Sequence, residues 1–328
     1  MYTDILLTQF ESRFLSAPPV AQNSLDEHIL RRRGLHVPTN GYPKRVLESE
    51  NYYNIVNGYK DPFIAIPATA GTQEQYKQNA AFSEIHALYK FDSELRMSLL
   101  RRILVVETNI KSAIAYEFSR KYGHENYLKT SNFDLQPGNT DRLSKIVDLI
   151  KNLQADIARQ LRHRAICHYM SEYGYVPLWV LVKILSFGTT SKFYDLMKQP
   201  DRQSVARRYR VSDSELSKLL GLLTLCRNKC AHDERLYNFK STKIRIQDNP
   251  IHVQLGIPVG PNGRVCGKDD ILATLIALKL LLPRSEFKPL AMEINKNLNT
   301  LSRKLQSVPV TDIMQSMGLP ANWMSITQ

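Results

Sequence analysis

Cysteine is scarce in this chain, four residues in 328, and Cys167, Cys226, Cys230 and Cys266 fall at irregular spacings. That excludes a disulfide framework and points to a reducing compartment. A zinc site would have to gather Cys167, His168, Cys226, Cys230 and His232 without any Cys-x2-Cys pair. The cysteines are therefore read as small apolar residues, and no metal or other cofactor is expected. Long apolar runs are missing too. The longest, Ile271 to Leu282, contains Lys279 and falls well short of the roughly 20 residues that span a bilayer, so no membrane segment is expected. Asp4 and Glu11 interrupt the N-terminus, which argues against a signal peptide and for a cytoplasmic location. Acidic residues are under-represented, 31 Asp and Glu against 44 Lys and Arg. The net charge of +13 favours a polyanionic partner, and on charge alone RNA, DNA and an acidic membrane all qualify. With 43% hydrophobic and 23% charged residues, the composition is that of a globular chain long enough for one or two domains.

What is present is concentrated polar chemistry between Leu225 and Asn238. Before it, Ser212 stands three residues ahead of Glu215, a capping-box spacing, and Leu216, Leu219, Leu220, Leu222 and Leu223 recur at helical intervals. The predicted helix delivers Arg227, Asn228 and His232 at its C-terminal end. Asn228 and His232 share a face, whereas Arg227 and His232 lie about 140° apart around the axis, so the long Arg side chain or a fraying last turn must bring them to one point. A guanidinium is permanently charged and holds phosphate oxygens with a fork of donors, while an imidazole exchanges a proton near neutral pH. Together they form a minimal metal-free kit for phosphodiester cleavage. Arg227 would stabilise charge on phosphorus and His232 would act as base or acid. One pair supplies one proton-transfer group, and a second subunit would supply the other. A plainer alternative is that this segment only caps the helix with a cation near its negative end.

Arg227-Asn-Lys-Cys-Ala-His232 resembles the Arg-x4-His motif of HEPN ribonucleases. Extended to Arg-Asn-x-x-Ala-His-x-x-Arg-Leu-x-Asn, it is similar to the Abi-like (AbiD/AbiF, Abi_2) branch of that superfamily, associated with abortive phage infection. The same resemblance includes Tyr52-Tyr53 near Gly58-Tyr59 with Pro62-Phe63 following, Phe91-Asp92-Ser93-Glu94-Leu95-Arg96 with Glu107 beyond it, Pro177-x-Trp179 through Leu185-Ser186-Phe187-Gly188, and Met317-Gly318-Leu319-Pro320 before Trp323. It implies an all-α, HEPN-type helical bundle acting as a homodimeric endoribonuclease on cellular or phage RNA. It also implies an antitoxin partner, either a protein or a noncoding RNA. The alternative from another class is a HEPN module that binds RNA or assembles without cutting. An intact Arg, Asn and His favours the enzyme.

Along the chain, residues 1–80 are expected to form an N-terminal helical and loop region, with a helical pattern over 1–23 and a second helix ending at Gly34. Arg31 to Arg33 are read as a solvated helix terminus rather than a phosphate contact, and the Tyr- and Asn-rich stretch near Asn51 as packing rather than base stacking. Residues 81–240 are the expected helical core. Its long helix from Phe82 to Tyr122 is either continuous or joined near Phe91 and Asp92. It carries Glu107, either paired with Arg227 at the site or a surface carboxylate. A helix over Leu143 to Tyr169 bears Arg162 and Arg164, candidate RNA contacts or else part of a solvated basic face, and Val176 to Gly188 is expected to be one core-packing helix. Arg202, Arg207, Arg208 and Arg210 are candidate RNA contacts, or else a solvated charge run, and Lys229 and Arg235 join them beside the motif. Residues 241–268 read as a small hairpin-like insertion, with Ile251 to Leu255 extended, and 269–328 as C-terminal helices.

Overall fold

The computed structural model describes residues 27–50, 53–69 and 72–328. The helical pattern expected over 1–23 and the Asn51-Tyr52 pair lie outside them. The described chain is predominantly helical. Its two small antiparallel sheets pair β1 (Ile64–Ile66) with β2 (Gln75–Tyr76), and β3 (Val259–Gly260) with β4 (Gly263–Arg264). Among the described residues no helix is long and apolar enough to cross a membrane. The fold divides into two compact units, cutting one long helix after Leu95 and another before Asn295.

The first unit holds the described residues before Arg96 together with Asn295–Gln315. Residues 27–32 are helical and stop at Gly34, whose φ of +89° suits glycine. Two basic residues of this terminus bind within the unit, Arg31 Nε donating to Val37 O at 3.2 Å and Arg33 meeting Glu74 at 2.5 Å, while Arg32 is exposed. Helix α1 (Tyr42–Ser49) follows. The long helix α2 (Phe82–Tyr122) then starts with Glu84 Oε2 accepting from Ala81 N, a side-chain answer to an unpaired first-turn donor. At about 60 Å by its residue count, α2 is continuous through Phe91 and Asp92. Asp92 is buried there and accepts from Tyr59 Oη at 2.7 Å.

The second unit runs from Arg96 to Ile294 and resumes at Ser316. Its elements are the rest of α2, then α3 (Thr140–Arg159), α4 (Arg164–Tyr173), α5 (Leu178–Leu181), α6 (Phe187–Leu196), α7 (Gln199–Ala206), α8 (Asp213–Ala231), α9 (Pro250–Gln254), α10 (Ile271–Leu281) and the first part of α11 (Arg284–Ser302). The last helix, α12 (Val310–Ser316), falls almost wholly in the first unit. Helix α10 is apolar around nearly its whole circumference, with Lys279 in its last turn, and is buried from Ile271 to Leu278 and at Leu281. Its N-cap Asp270 accepts from Ala273 N and Gly267 N, both at 2.9 Å. Helix α8 packs on α6, α7 and α10, burying Leu216, Leu219, Leu220, Leu222, Leu223, Cys226 and Cys230. Both cysteines thus serve as small core residues, while Cys167 is exposed on α4. Among the described residues no group of His, Cys, Asp or Glu is arranged to hold a metal ion.

Three expectations of local structure are corrected. The helix expected over Leu143 to Tyr169 breaks at 160–163, where Leu161 is exposed and no buried face continues. Val176 to Gly188 is not one helix. Ser186 caps a new helix by accepting from Thr189 N at 3.0 Å, so Gly188 sits in the first turn of α6 rather than closing α5. Within this block Leu178, Val180 and Leu181 are buried as expected, but Trp179 is 46% exposed and does not serve the core. Residues 250–254 are helical, not extended. Asn249 accepts from Ile251 N, His252 Nδ1 accepts from Asn249 N, and Pro250 occupies the first turn, where its missing N–H is harmless.

Candidate active site

Helix α8 starts on Ser212, whose hydroxyl accepts from Glu215 N at 3.1 Å, as the capping-box spacing predicts. It ends on His232, the C-cap residue, with His232 N donating to Asn228 O at 3.0 Å. Asp233 follows in the left-handed region at φ +56°, and Glu234 N returns to Lys229 O at 3.0 Å. This is a Schellman closure with Asp in the position glycine usually takes. Every capping bond here uses backbone, so the exposed His232 imidazole and Asn228 amide are not consumed by ending the helix.

A neighbouring element holds the turn in place. Arg96, on α2 and only 3% exposed, donates from Nη2 to Asp233 Oδ1 at 2.5 Å. Eleven residues further along α2, Glu107 is 6% exposed between the buried Val106 and Ile110. A carboxylate at such a position needs compensation. Lys111, one turn on, supplies most of it: its Nζ reaches Glu107 Oε1 at 2.6 Å and Leu185 O at 2.6 Å. The second carboxylate oxygen, Oε2, faces Arg227 Nε at 3.8 Å, within ion-pair range but too long for a hydrogen bond. Both atoms are buried, and neither has a hydrogen-bond partner among the described residues. The Arg227 side chain is 31% exposed, so part of it other than Nε reaches solvent.

Glu107 and Arg227 are therefore brought together, with Asn228 and His232 at the end of the same helix. The candidate RNA contacts separate into two groups. Arg202 is occupied within the fold: it lies 3.3 Å from Asp213 and donates to the carbonyls of Asp195 and Met197. Lys229 pairs with Glu234 at 2.6 Å, and that hydrogen bond, joined by the charges of Lys229 and His232, holds the Glu234 carboxyl below its ordinary range. Arg235 is half-buried. Arg207 and Arg210 are exposed, Arg207 bonding back to Gln203 O and Ser204 Oγ. Arg208 is 2.7 Å from Glu117, and its guanidinium lies 5.0 Å from the centre of the Tyr116 ring. Arg162 and Arg164 are exposed at the turn between α3 and α4.

Two grooves flank the exposed side of α2. One, of about 910 Å³, is mostly apolar and runs between Lys111, Ser112 and Arg120 on α2 and Trp179, Val182 and Lys183. The other, of about 620 Å³, shares Ser112 and Tyr116 with it and is bounded by Arg208 and Tyr209. Sequence reasoning missed Lys111, although its spacing of four from Glu107 was a usable signal, and it missed the exposure of Trp179, for which the apolar surroundings gave none.

Neither the curated proteins nor the solved structures give a match to this chain. A family model described as Abi-like protein matches residues 45–238, more than half of the 328 residues. The matched span holds Arg96, Glu107 and Lys111 on α2 and the whole motif from Arg227 to Asn238. The C-terminal block around Trp323 lies outside it. By the extent of that match, the chain belongs to the Abi-like family.

Proposed function

We propose that this protein is a HEPN-type endoribonuclease acting as an abortive-infection effector, with Arg227 and His232 as its reacting groups. The observation that carries the reading is the Glu107–Arg227 approach at 3.8 Å, in which both facing atoms are buried and unbonded. A carboxylate in that position fixes the guanidinium through one edge by charge while leaving its open surface for a phosphate. Lys111 in turn fixes the carboxylate.

In the proposed reaction a 2′-hydroxyl of RNA attacks the adjacent phosphorus. The new O2′–P bond forms as the P–O5′ bond breaks. An imidazole takes the 2′-hydroxyl proton, a second imidazole gives a proton to the departing O5′, and Arg227 stabilises the charge built up on the phosphate oxygens. The products are a 2′,3′-cyclic phosphate and a 5′-hydroxyl, and no metal is required. The second imidazole is His232 of another copy. Supporting a dimer, Met97 and Leu104 are large apolar residues left exposed on α2, the helix that carries Glu107. Asn228 orients either reacting group by hydrogen bonding. An antitoxin, protein or noncoding RNA, restrains the enzyme, and the charge of +13 suits RNA as substrate and as inhibitor.

The test is the chemistry of the ends. An RNA carrying a single 2′-deoxy substitution at its cleavage position is expected to resist cutting there, and the parent RNA to yield cyclic phosphate ends. Cutting at the 2′-deoxy position would contradict the mechanism. Size-exclusion mass measurement with RNA present tests the dimer.

A further inference from the structure

The apolar groove beside α2 continues into a line of aromatic rings. The Trp179 ring lies 4.9 Å from that of His124, His124 lies 5.4 Å from Tyr175, Tyr175 lies 6.5 Å from Tyr173, and Tyr173 lies 5.6 Å from Tyr169. Trp179 and Tyr173 are 46% and 59% exposed. A hydrogen bond of 2.7 Å between His124 Nε2 and the Tyr175 hydroxyl ties the middle of the line together. Exposed large aromatics at successive ring spacings are costly to leave in water unless something covers them. The groove that Trp179 lines is bordered by Lys111, Arg120 and Lys183. Of the carboxylates nearby, Glu117 is neutralised by Arg120 and Arg208, and Glu125 stands 3.5 Å from His124.

We propose that this ring line and the groove it enters form a binding track for single-stranded RNA, with bases stacking on Trp179 and Tyr173 and the phosphates running beside Lys183 and Arg120. Stacking platforms interleaved with cations bind unpaired strands, because every unpaired base offers a face to an aromatic ring. A duplex hides those faces. The groove is lined by Lys111, which holds Glu107, the carboxylate facing Arg227, so a strand on the track leads toward Arg227. The proposal rests on RNA being the ligand of the nuclease reading. It adds that the substrate is recognised unpaired, and through residues outside the motif.

The test uses the full chain carrying His232→Ala, so that the RNA stays intact. Trp323 is 2% exposed and Trp179 is open, so tryptophan quenching by added RNA reports on Trp179. Short single-stranded oligo(U) is expected to quench the fluorescence. On the same background, Trp179→Ala is expected to weaken binding about tenfold by anisotropy of labelled RNA, and Trp179→Phe to restore most of it. Lys183→Ala is expected to reduce the slope of log affinity against log salt by about 0.7, a slope that Trp179→Ala leaves unchanged. Thermal melting checks that each variant is folded, and Tyr173→Ala serves in place of any Trp179 variant that is not.

Unchanged affinity in Trp179→Ala, or quenching by double-stranded RNA as strong as by single-stranded, overturns the track. A change in tryptophan emission with protein concentration and no RNA overturns it in favour of a second copy covering the groove. Expected strand binding in a protein whose wild type cuts no RNA leaves the track standing and removes the nuclease. Cleavage by the wild type, with Trp179→Ala binding as its parent does, leaves the nuclease and removes the track.

Discussion

Arg96 and Asp233 are 137 residues apart in sequence and 2.5 Å apart in the fold. Their pairing fixes the turn that ends the motif helix one residue after His232. A buried guanidinium on α2 holds a carboxylate whose own backbone is in the left-handed region, at φ +56°. A non-glycine residue in that region carries roughly 1 kcal/mol of strain, so the ion pair is what keeps an aspartate there.

Asp233→Gly separates the two contributions. Glycine adopts the left-handed turn without strain, which offsets much of the lost ion pair, and the melting temperature is expected to move by only a few degrees. The backbone beside His232 loses its tether to α2. RNA cleavage is expected to fall about tenfold in kcat with KM little changed, and Asp233→Asn, which tolerates the turn and can still accept from Arg96, is expected to recover part of the loss. An equal fall in stability and activity would mean that the pair serves the fold alone.

Glu107→Gln keeps the shape of the buried side chain and removes its charge. Lys111 and Arg227 then face each other across a neutral amide, and the protein is expected to lose about 2 kcal/mol of stability. Cleavage is expected to fall at least tenfold, because Arg227 is no longer held by charge. Urea unfolding and initial cleavage rates measure the two effects, and full activity in a stably folded Glu107→Gln chain would remove Glu107 from the site.

Gly318→Ala tests the scaffold away from the site. A Cβ at this position would lie 2.2 Å from Asp270 Oδ2, and the backbone φ is +75°. Asp270 caps the central helix α10, so the substitution combines left-handed strain with a displaced cap. A loss of roughly 2 kcal/mol or more is expected in urea unfolding, and a loss within experimental error would show that the Asp270 side chain can move without disturbing α10.

Glu117 gives the stability an acid-side component. Burial alone would raise its carboxyl, but hydrogen bonds from Arg208 and Arg120, with their charges, outweigh burial and hold it below its ordinary value. A carboxyl lowered on folding contributes stability that is complete above its unfolded pKa of about 4.5 and is lost as pH falls through the lower folded value. Since Arg208 and Arg120 are both substantially exposed, Glu117→Gln is expected to cost only about 1 kcal/mol at pH 7, shrinking toward zero below the folded pKa. Equal losses at neutral and acid pH would contradict the assignment.

Much of this architecture was legible because its signals were local. The Ser212 cap, the leucine spacing of α8, the largely apolar α10 and the glycine ending the 27–32 helix each depend on a few adjacent residues. The breaks at 160–163 and at Ser186 were missed where helix-compatible sequence was interrupted by a competing cap or by the loss of a buried face. Arg227, Asn228 and His232 were visible from one short motif. Glu107 stood out as a charge in an apolar stretch, but whether it met Arg227 depended on how α2 and α8 lie together. Arg202 read as a free surface cation in its basic run, yet Asp213 and two carbonyls occupy it, partners that the run itself does not reveal. Trp179 was misread because the residues on both sides of it do face the core.

The most direct measurement is the rate of RNA cleavage by the purified chain in EDTA, set beside folded His232→Ala and Arg227→Ala variants. Cleavage is expected to persist in chelator and to be abolished in both variants. RNA left intact by the wild type, or cut equally well without the imidazole, would contradict the nuclease reading.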